Sequence, residues 1–141
     1  MICQSTNYNM ENFSKLVYPE LSYKITGILF AAHNELGRFR NEKQYSDGLE
    51  GYLKKFKIKY EREEILPASF EQESKGRNKI DFLIEDKIIL EMKAKRLLVK
   101  NDYYQTKRYL VALNKKLGLL INFRDKYIRP KRILNSSVKN Y

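Results

Sequence analysis

The chain holds a single cysteine, Cys3, and a single histidine, His33. One cysteine rules out an intrachain disulfide framework and a zinc cluster built on several thiolates. One imidazole rules out every site that needs two. No stretch approaches the roughly 18 consecutive apolar residues of a membrane span. The opening MICQSTNYNM lacks a basic segment leading into an apolar core, so no secretory signal is expected. The three prolines and six glycines form no linker, and no internal repeat is found. These absences set aside most zinc hydrolases, Cys-His proteases and secreted disulfide scaffolds. They point to a cytoplasmic, soluble protein.

What remains is a chain of 141 residues, room for one domain. Its 43% hydrophobic content supports one modest core, and its 32% charged residues imply a heavily solvated surface. Lys and Arg number 28 against 17 Asp and Glu, a net charge of +11. The excess is concentrated late: residues 100–141 carry 11 basic and 2 acidic groups, whereas residues 1–53 carry 5 and 6. Lys and Arg neutralise phosphates and release counterions, so a polyanion is the direct reading of this asymmetry. The plainer alternative is a basic surface with no partner.

Residues 1–18 are polar and weakly patterned and read as a loose leader. Leu21, Ile25, Ile28, Leu29, Ala32 and Leu36 then recur at helical spacing, with Gly37 as terminator. A second helix places Tyr45, Leu49, Tyr52, Leu53 and Phe56 on one side. A first strand is expected over 57–65, ended by Pro67, followed by a polar loop over 71–79. Ile80–Ile84 and Ile88–Lys95 flank an exposed turn at 85–87 and form a hairpin. A helix over about 102–116 takes Asn101 or Asp102 as its N-cap. The apolar run LGLLINF at 117–123 is a strand buried on both faces. Ile128 to Leu134 fits either an edge strand or a final basic turn. The order α-α-β-β-β-α-β argues for an α/β fold with a mixed central sheet of about four strands flanked by helices.

The hairpin carries the chemistry. Residues two apart on a strand share a face, so Ile89, Glu91, Lys93 and Lys95 lie together. Ile88, Leu90, Met92 and Ala94 form the opposite, apolar face toward the core. Ile80, Phe82 and Ile84 point away from Asp81, and antiparallel pairing brings Asp81 beside Glu91. Two carboxylates and a lysine then converge against an apolar wall. Hard carboxylate oxygens hold Mg²⁺, which polarises a phosphate and lowers the pKa of a bound water. A lysine nearby orients that water or neutralises developing charge. The ordinary alternative is a surface ion pair worth up to about 1 kcal/mol. The apolar run directly before Glu91 weighs against it, because a charge entering a core strand is costly without a partner.

Asp81…Glu91-Met92-Lys93 resembles the signature of the PD-(D/E)xK, or restriction-endonuclease-like, nucleases. Within them the chain is similar to the small bacterial and archaeal GxxExxY proteins, over about residues 21–134. The matching pieces run in order: Ala31-Ala32-His33, Leu36-Gly37, Glu42-Lys43-Gln44-Tyr45, Ile80-Asp81-Phe82, Ile89 to Ala94, Gln105 with Tyr109-Leu110, Gly118 to Phe123, and Lys131-Arg132-Ile133. Phe39 stands where the family has its name glycine, and Ile80 where the superfamily often has proline.

The resemblance implies a metal-dependent nuclease using Mg²⁺, with Mn²⁺ as a substitute. Asp81 and Glu91 would be ligands with the Met92 carbonyl, Lys93 would position the attacking water, Glu42 would reach the metal directly or through water, and Gln105 would bond to the lysine or to substrate. The Tyr45 hydroxyl, on a side chain otherwise suited to core packing, could reach the site. Tyr104 with Lys95, Lys100, Lys107 and Arg108 is the candidate nucleic-acid surface. The expected substrate is DNA ahead of RNA, with a homodimer or helper protein supplying specificity. The other function class is a nucleic-acid- or partner-binding module that keeps the fold without cleavage. The expected division is a leader at 1–18, one nuclease-like domain at 19–135 and a tail at 136–141.

Overall fold

A computed structural model describes residues 17–138. Most of the expected leader, Cys3 with it, and the end of the expected tail lie outside the described residues. Helix α1 (Pro19–Leu36) starts with Pro at its first position, where the missing N–H costs nothing. It ends at Gly37, whose φ of 78° is open to glycine without strain. Ile25, Ile28, Leu29 and Ala32 form its buried stripe. Helix α2 (Glu42–Lys55) is capped by Asn41, whose side chain accepts from Gln44 N–H while the Gln44 side chain accepts from Asn41 N–H. Phe56 falls off the apolar side expected for it: it is the C-cap and is largely exposed.

Five strands follow one another across a single sheet, in the order β1 (Tyr60–Ile65), β2 (Lys79–Ile84), β3 (Ile88–Lys93), β4 (Leu117–Asn122) and β5 (Lys131–Leu134). The β3–β4 pair is parallel and the other three are antiparallel. A parallel pair needs a crossover, and helix α3 (Lys100–Leu113) supplies it. The sheet therefore has one strand more than expected, because Lys131–Leu134 pairs with β4 as an edge strand. Strand β1 begins later than expected: the Ile58 N–H is used by the Leu53 carbonyl at 2.9 Å, closing α2, and Lys57 sits at φ 56°.

Both faces of the sheet are covered. Phe82, Ile84, Ile88, Leu90, Met92, Leu119 and Ile121 pack under α1 and α2. Leu83 and Ile89 pack on the other face against Tyr109 and Leu110 of α3. Ile80 joins this second face, not that of Phe82 and Ile84. The alternation slips between 80 and 82, opposite Glu63, whose φ is 56°. An irregular residue of this kind in one strand re-aims its neighbours, as a bulge does. Gly118 lets α3 sit close on β4: a Cβ there would stand 2.8 Å from Thr106 Cγ2. Among the described residues no helix is long and apolar enough to cross a membrane.

Candidate active site

The β2–β3 ladder runs through Ile84↔Ile88, Leu83↔Ile89 and Phe82↔Leu90 and then stops. The next residues are Asp81 and Glu91. Their side chains take over the backbone donors that the ladder leaves. Asp81 N–H donates to Glu91 Oε1 at 3.1 Å, and Met92 N–H donates to Asp81 Oδ2 at 2.7 Å. On its other edge β3 stays paired with β4 through Glu91↔Leu120, Met92↔Ile121 and Lys93↔Asn122. The strands thus part at the two acids while the sheet behind them remains whole. The N–H and C=O of one strand residue face the same side. The Met92 carbonyl therefore lies on the side of β3 where Asp81 sits.

Glu91 is only 3% exposed, since α3 covers its face. Its carboxyl is pushed up to about 8, first by burial and then by the charge of Asp81 and, less, of Glu42; the Asp81 N–H and the Lys93 charge act against this. Asp81 is raised too, chiefly by burial, with Glu42 and Glu63 adding to it and the Met92 N–H and Lys93 opposing. Tyr109 is raised by burial and by the Glu91 charge. Two carboxyls held together out of water at the cost of easy ionisation fit a divalent cation, whose charge removes both penalties. Among the described residues no group of three or more His, Cys, Asp or Glu side chains could hold a metal. The pair Asp81 and Glu91 would hold it with other oxygens, as suits an ion that keeps several waters.

Lys93 Nζ donates to Gln105 Oε1 at 3.3 Å, so α3, on the same face, holds the lysine. Glu42 stands exposed in the first turn of α2, near enough for its charge to raise both acids. Tyr45 does not turn its hydroxyl to the acids. It is fully buried, stacks on Phe123 at 4.2 Å, donates to the Gly37 carbonyl at 2.5 Å and accepts from Arg40 N–H at 3.3 Å.

Lys95 is engaged with Asp102, 3.0 Å from its Oδ2. The N-cap of α3 is Val99, not Asn101 or Asp102; Asp102, at the third position, accepts from Val99 N–H at 2.7 Å. Burial pushes the Asp102 carboxyl up, but the Val99 N–H and Lys95 outweigh it and hold it below the usual range. Lys100, Tyr104, Lys107 and Arg108 recur at helical spacing along the exposed side of α3, and the last three line a shallow hollow.

Two further residues matter that sequence reasoning did not single out. Glu63 is bracketed by the pairs Arg62↔Phe82 and Glu64↔Ile80, which set it opposite Asp81. Asn122 is 2% exposed; its Oδ1 accepts from Lys95 N–H at 3.1 Å and from Arg124 N–H at 3.3 Å, and its Nδ2 donates to the Lys95 carbonyl at 2.7 Å. A polar residue closing an otherwise apolar strand was the available signal. Asn122→Ala leaves the Lys95 backbone groups without these partners and is expected to cost about 1–3 kcal/mol. Chemical denaturation measures this, and a loss under about 0.5 kcal/mol, ordinary for a surface change, would contradict the clamp.

A model of the PD-(D/E)XK nuclease superfamily matches residues 19–133 of the chain. No curated protein and no solved structure matches.

Proposed function

The chain belongs to the PD-(D/E)XK nuclease superfamily, and from that premise we propose that it is a divalent-metal-dependent nuclease of the GxxExxY kind that hydrolyses phosphodiester bonds of DNA. The observation that carries the proposal is the buried pair Asp81 and Glu91 at the parting of β2 and β3, with Lys93 beside it. The nuclease domain is residues 19–135, and the protein acts in the cytoplasm.

Asp81, Glu91 and the Met92 carbonyl would hold Mg²⁺, or Mn²⁺ in its place, and Glu42 would reach it directly or through water. When bound, the ion polarises the scissile phosphate and makes water a better nucleophile at neutral pH. The remaining work falls to the chain itself. Lys93 presents a compact ammonium to the attacking water and to the charge that grows on phosphate oxygens. Gln105 fixes where that ammonium stands, which removes a rotameric search from the reaction. Helix α3 over Glu91 keeps bulk water out, which strengthens every charge interaction there. Lys100, Tyr104, Lys107 and Arg108 contact the phosphate backbone and set register, not sequence. A second copy of the chain or a helper protein supplies specificity.

One observation favours the second reading, a binding module without cleavage. Both acids already accept a backbone N–H, as carboxylates with a purely structural role also do. Cleavage of a panel of single-stranded, duplex, flapped and branched DNA with Mg²⁺ or Mn²⁺ separates the two. Metal-dependent cleavage by the wild type, absent from Asp81→Ala, is expected. Binding without cleavage of any substrate by the wild type would end the enzyme reading.

A further inference from the structure

Phe39 occupies the turn between α1 and α2 and is 77% exposed. Its ring is not a stray apolar side chain. The Arg38 guanidinium stands 5.1 Å from the ring centroid and that of Arg124 stands 5.8 Å away. The two arginines are themselves fixed by a reciprocal pair of bonds: Arg38 Nε donates to the Arg124 carbonyl at 2.8 Å, and Arg124 Nε to the Arg38 carbonyl at 2.9 Å. Arg40 Nε is held by the Leu36 carbonyl at 2.9 Å. His33 Nε2 lies 2.9 Å from the Asp125 carbonyl, tying the loop after β4 to α1 a second time. In that loop Tyr127 is 74% exposed, with Lys126 Nζ 5.5 Å from its ring.

Two open aromatic rings and five cations, Arg129 among them, are thus presented on two loops stitched together by side-chain-to-backbone bonds, with Asp125 the one acid in those two loops. The turn takes its left-handed residue at Gly37, and Phe39 has no positive φ, so the backbone does not require glycine at 39. Two chain connections link this surface to the acids. Glu42 follows Phe39 by three residues, and Asn122, paired with Lys93 across the parallel strands, accepts from Arg124 N–H.

Exposed rings beside cations suit one ligand chemistry: unstacked bases on the rings, with the connecting phosphates on the guanidinium and ammonium groups. In a duplex the base faces are already covered by neighbours. We propose that Phe39, with Arg38, Arg124 and Tyr127, forms a platform for a single-stranded segment of nucleic acid leading to the Asp81–Glu91 pair. The platform rests on the nuclease reading for its purpose, not for its binding.

The test is fluorescence anisotropy in EDTA, so that binding is read without cleavage. The probes are a labelled oligothymidylate of about 15 nucleotides, within the reach of such grooves, and a blunt duplex of the same length. Phe39→Ala is expected to weaken strand binding by about 5–50-fold, the loss of one stacked base, and duplex binding by less than about twofold. Phe39→Tyr keeps a ring and is expected to retain strand binding. Thermal melting of both variants checks the fold, which an exposed side chain should leave intact. Unchanged strand binding in Phe39→Ala, equal losses on both probes, or no strand binding by the wild type would each overturn the platform. If the wild type binds the strand through Phe39 yet cleaves nothing when Mg²⁺ is added, the platform stands and the nuclease reading falls. If it cleaves and Phe39→Ala binds both probes as before, the nuclease reading stands and the platform falls.

Discussion

Lys93→Ala is expected to reduce DNA cleavage by about 10²–10³-fold, the usual effect of removing one charge-stabilising donor, while DNA affinity changes by less than about threefold because one phosphate contact among many is lost. The asymmetry follows from where the ammonium acts. A group that interacts more strongly with the developing charge than with the bound substrate lowers the barrier and contributes little to binding. Lys93→Arg is not expected to rescue, since a planar fork cannot reproduce a compact ammonium held 3.3 Å from Gln105 Oε1. The measurement pairs binding and cleavage of one substrate by the wild type and Lys93→Ala. Parallel losses of affinity and rate would make Lys93 a binding residue, with no part in the chemistry.

The second large effect concerns Glu91 and stability. Its carboxyl lies at about 8 in the folded protein, against 4.5 as the ordinary value. Between those pH values the folded state keeps a proton that the unfolded chain has released. The stabilisation tied to that proton is therefore complete below about 4.5 and is lost as pH climbs through about 8. Metal-free wild type is expected to lose stability over this interval relative to Glu91→Gln, which has nothing to ionise. By pH 8.5 to 9 the variant should be the more stable, by on the order of a few kcal/mol. Mg²⁺ should reverse the order, raising the wild-type melting temperature and leaving the variant nearly unmoved. Melting both proteins across pH 5 to 9, in EDTA and in Mg²⁺, checks the sign. A flat difference between them would mean that Glu91 ionises as if in water, and a wild type that Mg²⁺ does not stabilise would mean that the acid pair is not a cation site.

The acid pair was legible because strand periodicity and a short turn leave few choices. With Glu85 and Asp86 both left-handed and Lys87 N–H bonded to the Ile84 carbonyl, the hairpin register follows, and Asp81 must come level with Glu91. Gln105 was legible only through its place in the family pattern, since nothing in its own helix distinguishes it from a solvated residue. Tyr45 shows the converse. Family pattern and chemistry allowed its hydroxyl a place near the site, but a stacked ring on Phe123 and two backbone partners commit it to the turn at 37–40. The sequence placed Lys95 on the candidate nucleic-acid surface and gave no sign of its ion pair with Asp102, which lies seven residues on, across a bend into α3.

Composition, periodicity and motif order by themselves determined the two opening helices, the hairpin, the twice-buried fourth strand and the mixed α/β sheet. The helices, the hairpin and the strand depend on neighbours within a few residues, where the period of the side chains decides which face is apolar, and the order of these elements argues for the sheet. Only the tertiary structure decided that the ladder stops at Asp81, that α3 covers Glu91 and raises its carboxyl, that Lys131–Leu134 pairs with β4, and that Phe39 meets Arg124 from 85 positions away. Desolvation and contact between distant loops depend on what folds over a residue, and local spacing carries no record of that.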